Sequence, residues 1–165
     1  MFNSGGDSFL AEFPSAVSAV ECAVEFQKAI QTRNSSGGTN TKLEFRIGIN
    51  SGDVVKEKDN LLGDGVNIAA RLEALAQTNG ITVSKVIYDF VSGKTQFEFN
   101  DLGLQKIKKN EFHAFDLLLN SSQKRKVKKV IINPSKQFLK KWKLVVRQLL
   151  ILVLSQLDQA REGFR

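Results

Sequence analysis

Leu62-Gly63-Asp64-Gly65-Val66-Asn67-Ile68-Ala69-Ala70-Arg71-Leu72-Glu73 is the stretch whose reading decides the fold. It reads as a tight glycine-containing turn that runs into a helix over about 66–77. Asn67 and Arg71 stand four apart, so they project from one face of that helix. An amide beside a guanidinium suits the negative charge of a triphosphate better than it suits an apolar core. The same spacing also fits a solvated arginine on an ordinary amphipathic helix, so this stretch alone leaves both readings open. A second stretch, Gly5-Gly6-Asp7-Ser8-Phe9-Leu10-Ala11-Glu12-Phe13, sets an aspartate in a glycine turn ahead of an alternating strand.

Working outward from these two stretches gives a mixed order of elements. Residues 2–13 read as a hairpin, and Pro14-Ser15 suit a helix start over 14–33. Val17, Val20, Val24 and Ile30 give that helix its apolar spacing. A polar loop covers 34–40. A strand over 43–55 carries Phe45, Ile47 and Ile49 on one face. A polar turn at 56–65 leads to the second helix. A short strand at 81–83, a helix through Val86, Ile87 and Phe90, and an antiparallel pair at 97–108 and 112–119 complete the pattern. Strands and helices mingle in the α+β manner.

Charge divides the chain in two. Over the whole sequence the formal net charge is +7. Residues 1–120 hold 12 Lys/Arg and 15 Asp/Glu, whereas residues 121–165 hold 12 and 2. The basic character belongs to the tail, so 1–120 is read as the folded domain, with no nucleic-acid footprint, and 121–165 as a basic appendage. Cys22 is the only cysteine, which excludes an internal disulfide. It is expected to pack in the core as a small apolar residue. No signal peptide precedes the first motif, so a reducing, cytoplasmic setting is the default.

Four motifs resemble the catalytic domain of class III adenylate and guanylate cyclases, in the order that family shows. They are GGDSFLAEFPSAVSAVECAVEFQ, FRIGINSGDVV, LLGDGVNIAARLEALA and ITVSKVIYDFV, and the resemblance covers roughly residues 2–119. It implies a ferredoxin-like sheet with added elements. It also implies conversion of a purine nucleoside triphosphate, ATP or GTP, into a 3′,5′-cyclic nucleotide and pyrophosphate. ATP to cAMP is favoured by analogy with bacterial-type sequences of similar wording.

In that family two Asp residues hold two divalent ions, Mg²⁺ or Mn²⁺, hard cations that call for carboxylates. Asp7 matches the second of them. The family's opening strand, with the first metal Asp, has no counterpart in this sequence. That strand would lie between the strand ending at Phe13 and the strand at 43–55. The expectation is an amino-terminally truncated cyclase fold in which those two strands pair in parallel or leave an open slot. Little turnover is expected from the chain alone. Asn67 and Arg71 match the pair that orients the ribose and stabilises the transition state. The metal Asp residues and this pair come from different subunits, so a homodimer or a related cyclase subunit is implied.

Asn3 and Asn60 fall where many members read the base, and an amide can both donate to and accept from a purine edge. Lys108 lies near a lysine that some members aim at the triphosphate, and it equally fits a solvated strand charge. His113 beside Phe112 and Phe115 is expected to pack or lie at the surface.

In the tail, 124–129 is a cationic run, and lysines and Trp142 flank the apolar run at 144–154. Interfacial Lys and Trp suit a membrane boundary. The apolar run is about half the roughly 20 residues that a span requires, and Arg147 interrupts it. A short helix is expected there, lying on an anionic membrane surface or packed as an ordinary amphipathic helix. Two further functions fit these residues beside that of a cyclase. One is a catalytically incomplete nucleotide-binding or dimerisation module, and the other is a membrane-surface adaptor acting through the basic tail.

Overall fold

Two short runs of alternating strand residues open the fold, and the sheet they start is built mainly around β3. The computed structural model describes residues 2–5, 8–36, 41–57, 60–107, 110–120, 124–125 and 147–154. The elements in chain order are β1 (Phe2–Gly5), β2 (Ser8–Glu12), α1 (Ala16–Ser35), β3 (Glu44–Ser51), β4 (Val55–Glu57), β5 (Asn60–Leu62) and α2 (Asp64–Leu75). There follow β6 (Ile81–Ser84), α3 (Lys85–Val91), β7 (Glu98–Ile107), β8 (Asn110–Leu118) and β9 (Arg147–Leu154). The expected α+β architecture is present, with boundaries moved by a few residues. The turn expected at 56–65 contains a small antiparallel hairpin, β4 with β5.

Among the described residues seven strands form one sheet in the order β1-β2-β9-β3-β6-β8-β7. The centre of that order corrects the sequence reading. Neither a β2–β3 pair nor an open slot is found. β9 lies between them and runs parallel to both, with Leu150 opposite Phe9 on one side and Ile47 on the other. The apolar run expected to be a helix in the tail is therefore a strand. Its unbroken Leu149–Leu154 sequence has no polar alternation. Such a run suits a parallel strand covered on both faces, and β9 touches both α1 and α2.

The two faces of β3 explain the layering. Ile47 and Ile49 are fully buried on one face with Ile81, Val83, Phe115 and Leu117, beneath α1 and α3. Ser15 caps α1, its side chain accepting from the Ser18 backbone N–H at 3.1 Å. The buried stripe of α1 is Ala16, Ala19, Val20, Ala23, Val24 and Gln27. Cys22 falls off that stripe and is exposed, so the expectation that it packs in the core is wrong. Gln27 is the polar member of the stripe. Its Nε2 donates to the carbonyls of Phe45 at 3.1 Å and Gly80 at 3.3 Å, tying α1 to the ends of two strands.

The other face of β3 carries α2, held at three alternate positions. Arg46 Nε meets the buried Glu73 carboxylate at 2.8 Å. At Gly48 the helix backbone is so close that a Cβ would stand 2.2 Å from Ala69 O and 2.3 Å from Glu73 N. Asn50, buried, donates from Nδ2 to Gly65 O at 3.1 Å. Successive same-face positions of β3 thus grip successive turns of α2, and helix and strand run in opposite senses.

At the far side of the sheet Phe115 is stacked between Tyr88, 4.1 Å away, and His113, 4.7 Å away. His113 therefore has the packing role expected of it, and its Nε2 also meets Asp101 Oδ1 at 2.5 Å. Partial desolvation raises the Asp101 pKa. Hydrogen bonds from His113 and the Gly103 N–H, with the positive charge of His113 and Lys85, outweigh it and hold the carboxyl below its ordinary value.

Two measurements follow. Gly48→Ala should lower unfolding stability by about 2–3 kcal/mol, because the added methyl meets helix backbone and not a movable side chain. Urea unfolding checks this, and an unchanged midpoint would refute the contact. The Asp101–His113 pair stabilises the fold at pH values above the ordinary carboxylate range. That contribution is lost as pH falls through the lowered folded pKa of Asp101. In a carboxyl NMR titration, His113→Ala should move the Asp101 midpoint upward, toward its unperturbed position.

Candidate functional site

The entry to α2 is shaped by backbone before any side chain acts. Gly63 has φ +145°, and a Cβ there would lie 2.6 Å from Asp53 O, so only glycine fits the turn. Its carbonyl accepts from the Asn67 N–H at 3.2 Å and starts the helix. Asp64 sits in the first turn, where a carboxylate faces the positive end of the helix dipole.

Gly65, Ala69 and Glu73 form the stripe pressed on β3. At 100° per residue, Asn67 and Arg71 then lie on the opposite side of α2. Asn67 is exposed and Arg71 half-buried. Among the described residues, Arg71 Nη1 is closed off from solvent without a hydrogen-bond partner. A guanidinium nitrogen in that condition is a donor ready for an anionic acceptor.

The other candidate positions are more scattered. Asn3 lies on β1 opposite Leu10, at the edge of the main sheet. Asn60 lies opposite Glu57 in the separate β4–β5 hairpin. The two base-reading candidates thus belong to different sheets. Asp7 and Lys108 lie outside the described residues. Among the described residues no three His, Cys, Asp or Glu side chains gather as a metal site. The described part does not by itself fit a divalent ion.

Three contacts that position this region went unread in the sequence. Asn50 and the Arg46–Glu73 pair hold the two ends of α2 to β3. Glu73 stands only two residues beyond Arg71, and its burial was the missing signal. The third contact belongs to the basic run. Arg125 is not a free tail charge: its Nε and Nη2 meet the buried Asp116 carboxylate at 2.7 and 3.0 Å. Arg125 Nη2 also donates to Leu75 O, the last residue of α2, at 3.0 Å. Thr82 Oγ1 donates to the same carboxylate at 2.7 Å. The remaining cationic residues, 126–129, lie outside the described residues. Among the described residues no helix is long and apolar enough to cross a membrane.

Comparison with known proteins agrees with this arrangement. The family described as the adenylate and guanylate cyclase catalytic domain matches residues 6–118. A Rhizobium meliloti (strain 1021) protein named "Putative adenylate cyclase 3" is 42% identical over 111 residues, which are 67% of this chain and 19% of that protein. An uncharacterized protein of Mycobacterium tuberculosis (strain H37Rv) is 30% identical over 89 residues, 54% of this chain and 28% of that one. The chain therefore spans between about a fifth and just over a quarter of these curated relatives. Among solved structures, an adenylate/guanylate cyclase/hydrolase from Silicibacter pomeroyi superposes with a TM-score of 0.56 at 34% identity, covering 64% of each chain. With the match extending from the hairpin turn to the end of β8, and with α2 presenting Asn67 and Arg71 from its glycine turn, the chain belongs to the adenylate and guanylate cyclase catalytic domain family.

Proposed function

We infer that the outward face of α2 acts on a purine nucleoside triphosphate, closing it to a 3′,5′-cyclic nucleotide with release of pyrophosphate. In that reaction the ribose 3′-oxygen forms a bond to the α-phosphorus, and the bond from that phosphorus to the bridging oxygen of the leaving pyrophosphate breaks. The hydroxyl proton leaves, and negative charge grows on the phosphate oxygens. The observation that carries the reading is Arg71, a half-buried guanidinium whose Nη1 has no acceptor among the described residues. Family membership supports a purine nucleoside triphosphate as the acceptor of that donor.

Arg71 would donate to the charge that develops in the transition state, and Asn67, one turn earlier, would orient the ribose. Fixed donors of this kind act without reorganising during the reaction. Because both residues point away from the chain's own sheet, the rest of the site would come from another subunit, a second copy or a related cyclase chain. The Asp7 of that subunit would face the pair and bear the Mg²⁺ or Mn²⁺ the family calls for. ATP is the favoured substrate, supported by the Rhizobium relative's name. Asn3 and Asn60 would read the purine edge and Lys108 would meet the triphosphate.

The test is complementation. In the chain supplied with the family's opening strand and first metal Asp, fused or from a related subunit, Arg71→Ala should lower cyclic-nucleotide formation by about 100- to 1,000-fold, the usual loss when one transition-state donor is removed. Asp7→Ala should be equally impaired. A mixture of the two variants should recover part of the activity, because one interface then holds both intact residues. No recovery in a mixture shown to dimerise would refute the shared site. Nucleotide binding without turnover, even beside a related active subunit, would replace this reading with that of a binding or dimerisation module.

A further inference from the structure

One rung of the main sheet, on the face covered by α2, is polar where a sheet face under a helix is ordinarily apolar. Gly48 stands opposite Thr82, Thr82 opposite Asp116, and Asp116 opposite Asn100. The backbone of α2 presses on the first of these positions. The other three are buried, with relative exposures of 0%, 4% and 7%. A carboxylate and an amide are tolerated in such a place only with partners. Arg125 supplies them. Its guanidinium meets both oxygens of Asp116, at 2.7 and 3.0 Å, and its carbonyl accepts from Asn100 Nδ2 at 3.1 Å. Thr82 Oγ1 adds a third hydrogen bond to the carboxylate, at 2.7 Å.

Side chain and backbone of Arg125 are thus both fixed, and Nη2 goes on to donate to Leu75 O at 3.0 Å. That carbonyl belongs to the last residue of α2. The carbonyls of Leu72 and Glu73 are closed by the Ala76 N–H, at 3.0 and 2.9 Å. Leu75 lies one turn after Arg71, and in a regular helix its N–H closes on the Arg71 carbonyl. We propose that Arg125 is a positioning residue for Arg71: seated on the Thr82–Asp116–Asn100 rung, it fixes the last turn of α2 and with it the guanidinium one turn earlier. The inference rests on the proposed role of Arg71 in cyclisation. Arg125 lies beyond the family-matched residues 6–118, and β9 takes no part in the contacts just described.

Two features set this arrangement apart from a plain stabilising ion pair. Gly48 and the Arg46–Glu73 pair hold α2 from β3, whereas Arg125 holds it from β8, so the helix end is braced from two strands. A misplacement of about 1 Å in a group that acts on the transition state can cost a hundredfold in rate, which makes such bracing matter to chemistry. The second feature is the need for arginine. A planar fork meets the carboxylate with two nitrogens and still reaches Leu75 O, whereas an ammonium can keep the charge pair without spanning both.

Arg125→Lys is therefore the informative variant, because it keeps a cation beside Asp116 and gives up the fork. In the full chain it should remain folded, while amides 73–76 exchange about tenfold faster and those of β3 and β6 do not change. The Arg71 Nε–Hε NMR signal, assigned with Arg71→Lys, should shift. In the chain completed with the family's opening strand and first metal Asp, kcat should fall about tenfold with KM unchanged, because orientation is lost and not ground-state binding. Arg125→Ala should show the same changes, and millimolar ethylguanidinium should reverse them where ethylammonium does not. Lys124→Ala, at the exposed charge next in sequence, should alter none of these readouts. Unchanged exchange at the end of α2 in Arg125→Lys overturns the proposal. Faster exchange with the Arg71 signal and kcat intact also overturns it, and leaves Arg125 a stabilising contact only. If the completed chain without further substitution makes no cyclic nucleotide, the proposed reaction fails, and the Arg71 signal alone decides: a shift supports positioning by Arg125, and no shift overturns it.

Discussion

The contact on which the rest depends is the backbone approach of α2 to β3 at Gly48. No side chain separates the two elements there, because Ala69 O and Glu73 N occupy the space a Cβ would need. So close an approach fixes the helix along its axis, and the contacts on either side fix its rotation. Arg46 holds the carboxyl-terminal half through Glu73, and Asn50 holds the first turn through Gly65. With Gly65, Ala69 and Glu73 committed to the sheet, helix geometry leaves Asn67 and Arg71 facing outward. The outward face of α2 is thus set by what the opposite face must do. Lengthening Gly48 or shortening Asn50 acts on the site without touching it.

Much of this was legible in the sequence because local rules and long-range packing agree there. The glycine turn at 63–65, the four-residue spacing of Asn67 and Arg71, and the alternation in Phe45, Ile47 and Ile49 each follow from one element's own geometry. β9 was not legible for a physical reason. An unbroken apolar run carries no period, so helix and buried strand look alike, and only length and surroundings separate them. Its flanking lysines and Trp142 suggested a membrane boundary, while its partners lie about 100 and 140 residues away in sequence. Cys22 failed differently. Its residue type favours burial, but the stripe through Ala19, Ala23 and Gln27 turned that position toward solvent. Of the candidate site, the residues on α2 were placed by periodicity, whereas Asn3 and Asn60 had only the resemblance behind them.

The Asp116 cluster shows how a charge run conceals a structural role. A carboxylate taken out of water without partners costs several kcal/mol. Here Thr82 and two guanidinium nitrogens surround it. Nothing in the run Lys124–Lys129 distinguishes Arg125 from its neighbours. The distinction lies in Asp116, which shares a register position with Thr82 on the sheet face turned toward α2. Arginine suits the place better than lysine, because its planar fork meets a carboxylate with two nitrogens and still reaches the helix-end carbonyl of Leu75. The positive charge at that end also complements the helix dipole.

Arg125 and β9 together give the chain beyond β8 two separate holds on the same helix. Arg125 closes the carboxyl-terminal end of α2 through Leu75 O, and β9 runs beneath α2 beside β3. The two holds differ in kind. The first is a short-range set of charged hydrogen bonds within nine residues of Asp116 along the chain. The second is a long-range strand pairing, to partners about 100 and 140 residues away along the chain. Closing a long loop costs only slowly more with length, so the 21 residues between Arg125 and Arg147 weigh little on equilibrium stability, whereas non-local pairing slows its formation. α2 is therefore held by β3 within the matched domain and by Arg125 and β9 beyond it, so the placement of its outward face depends on both parts of the chain.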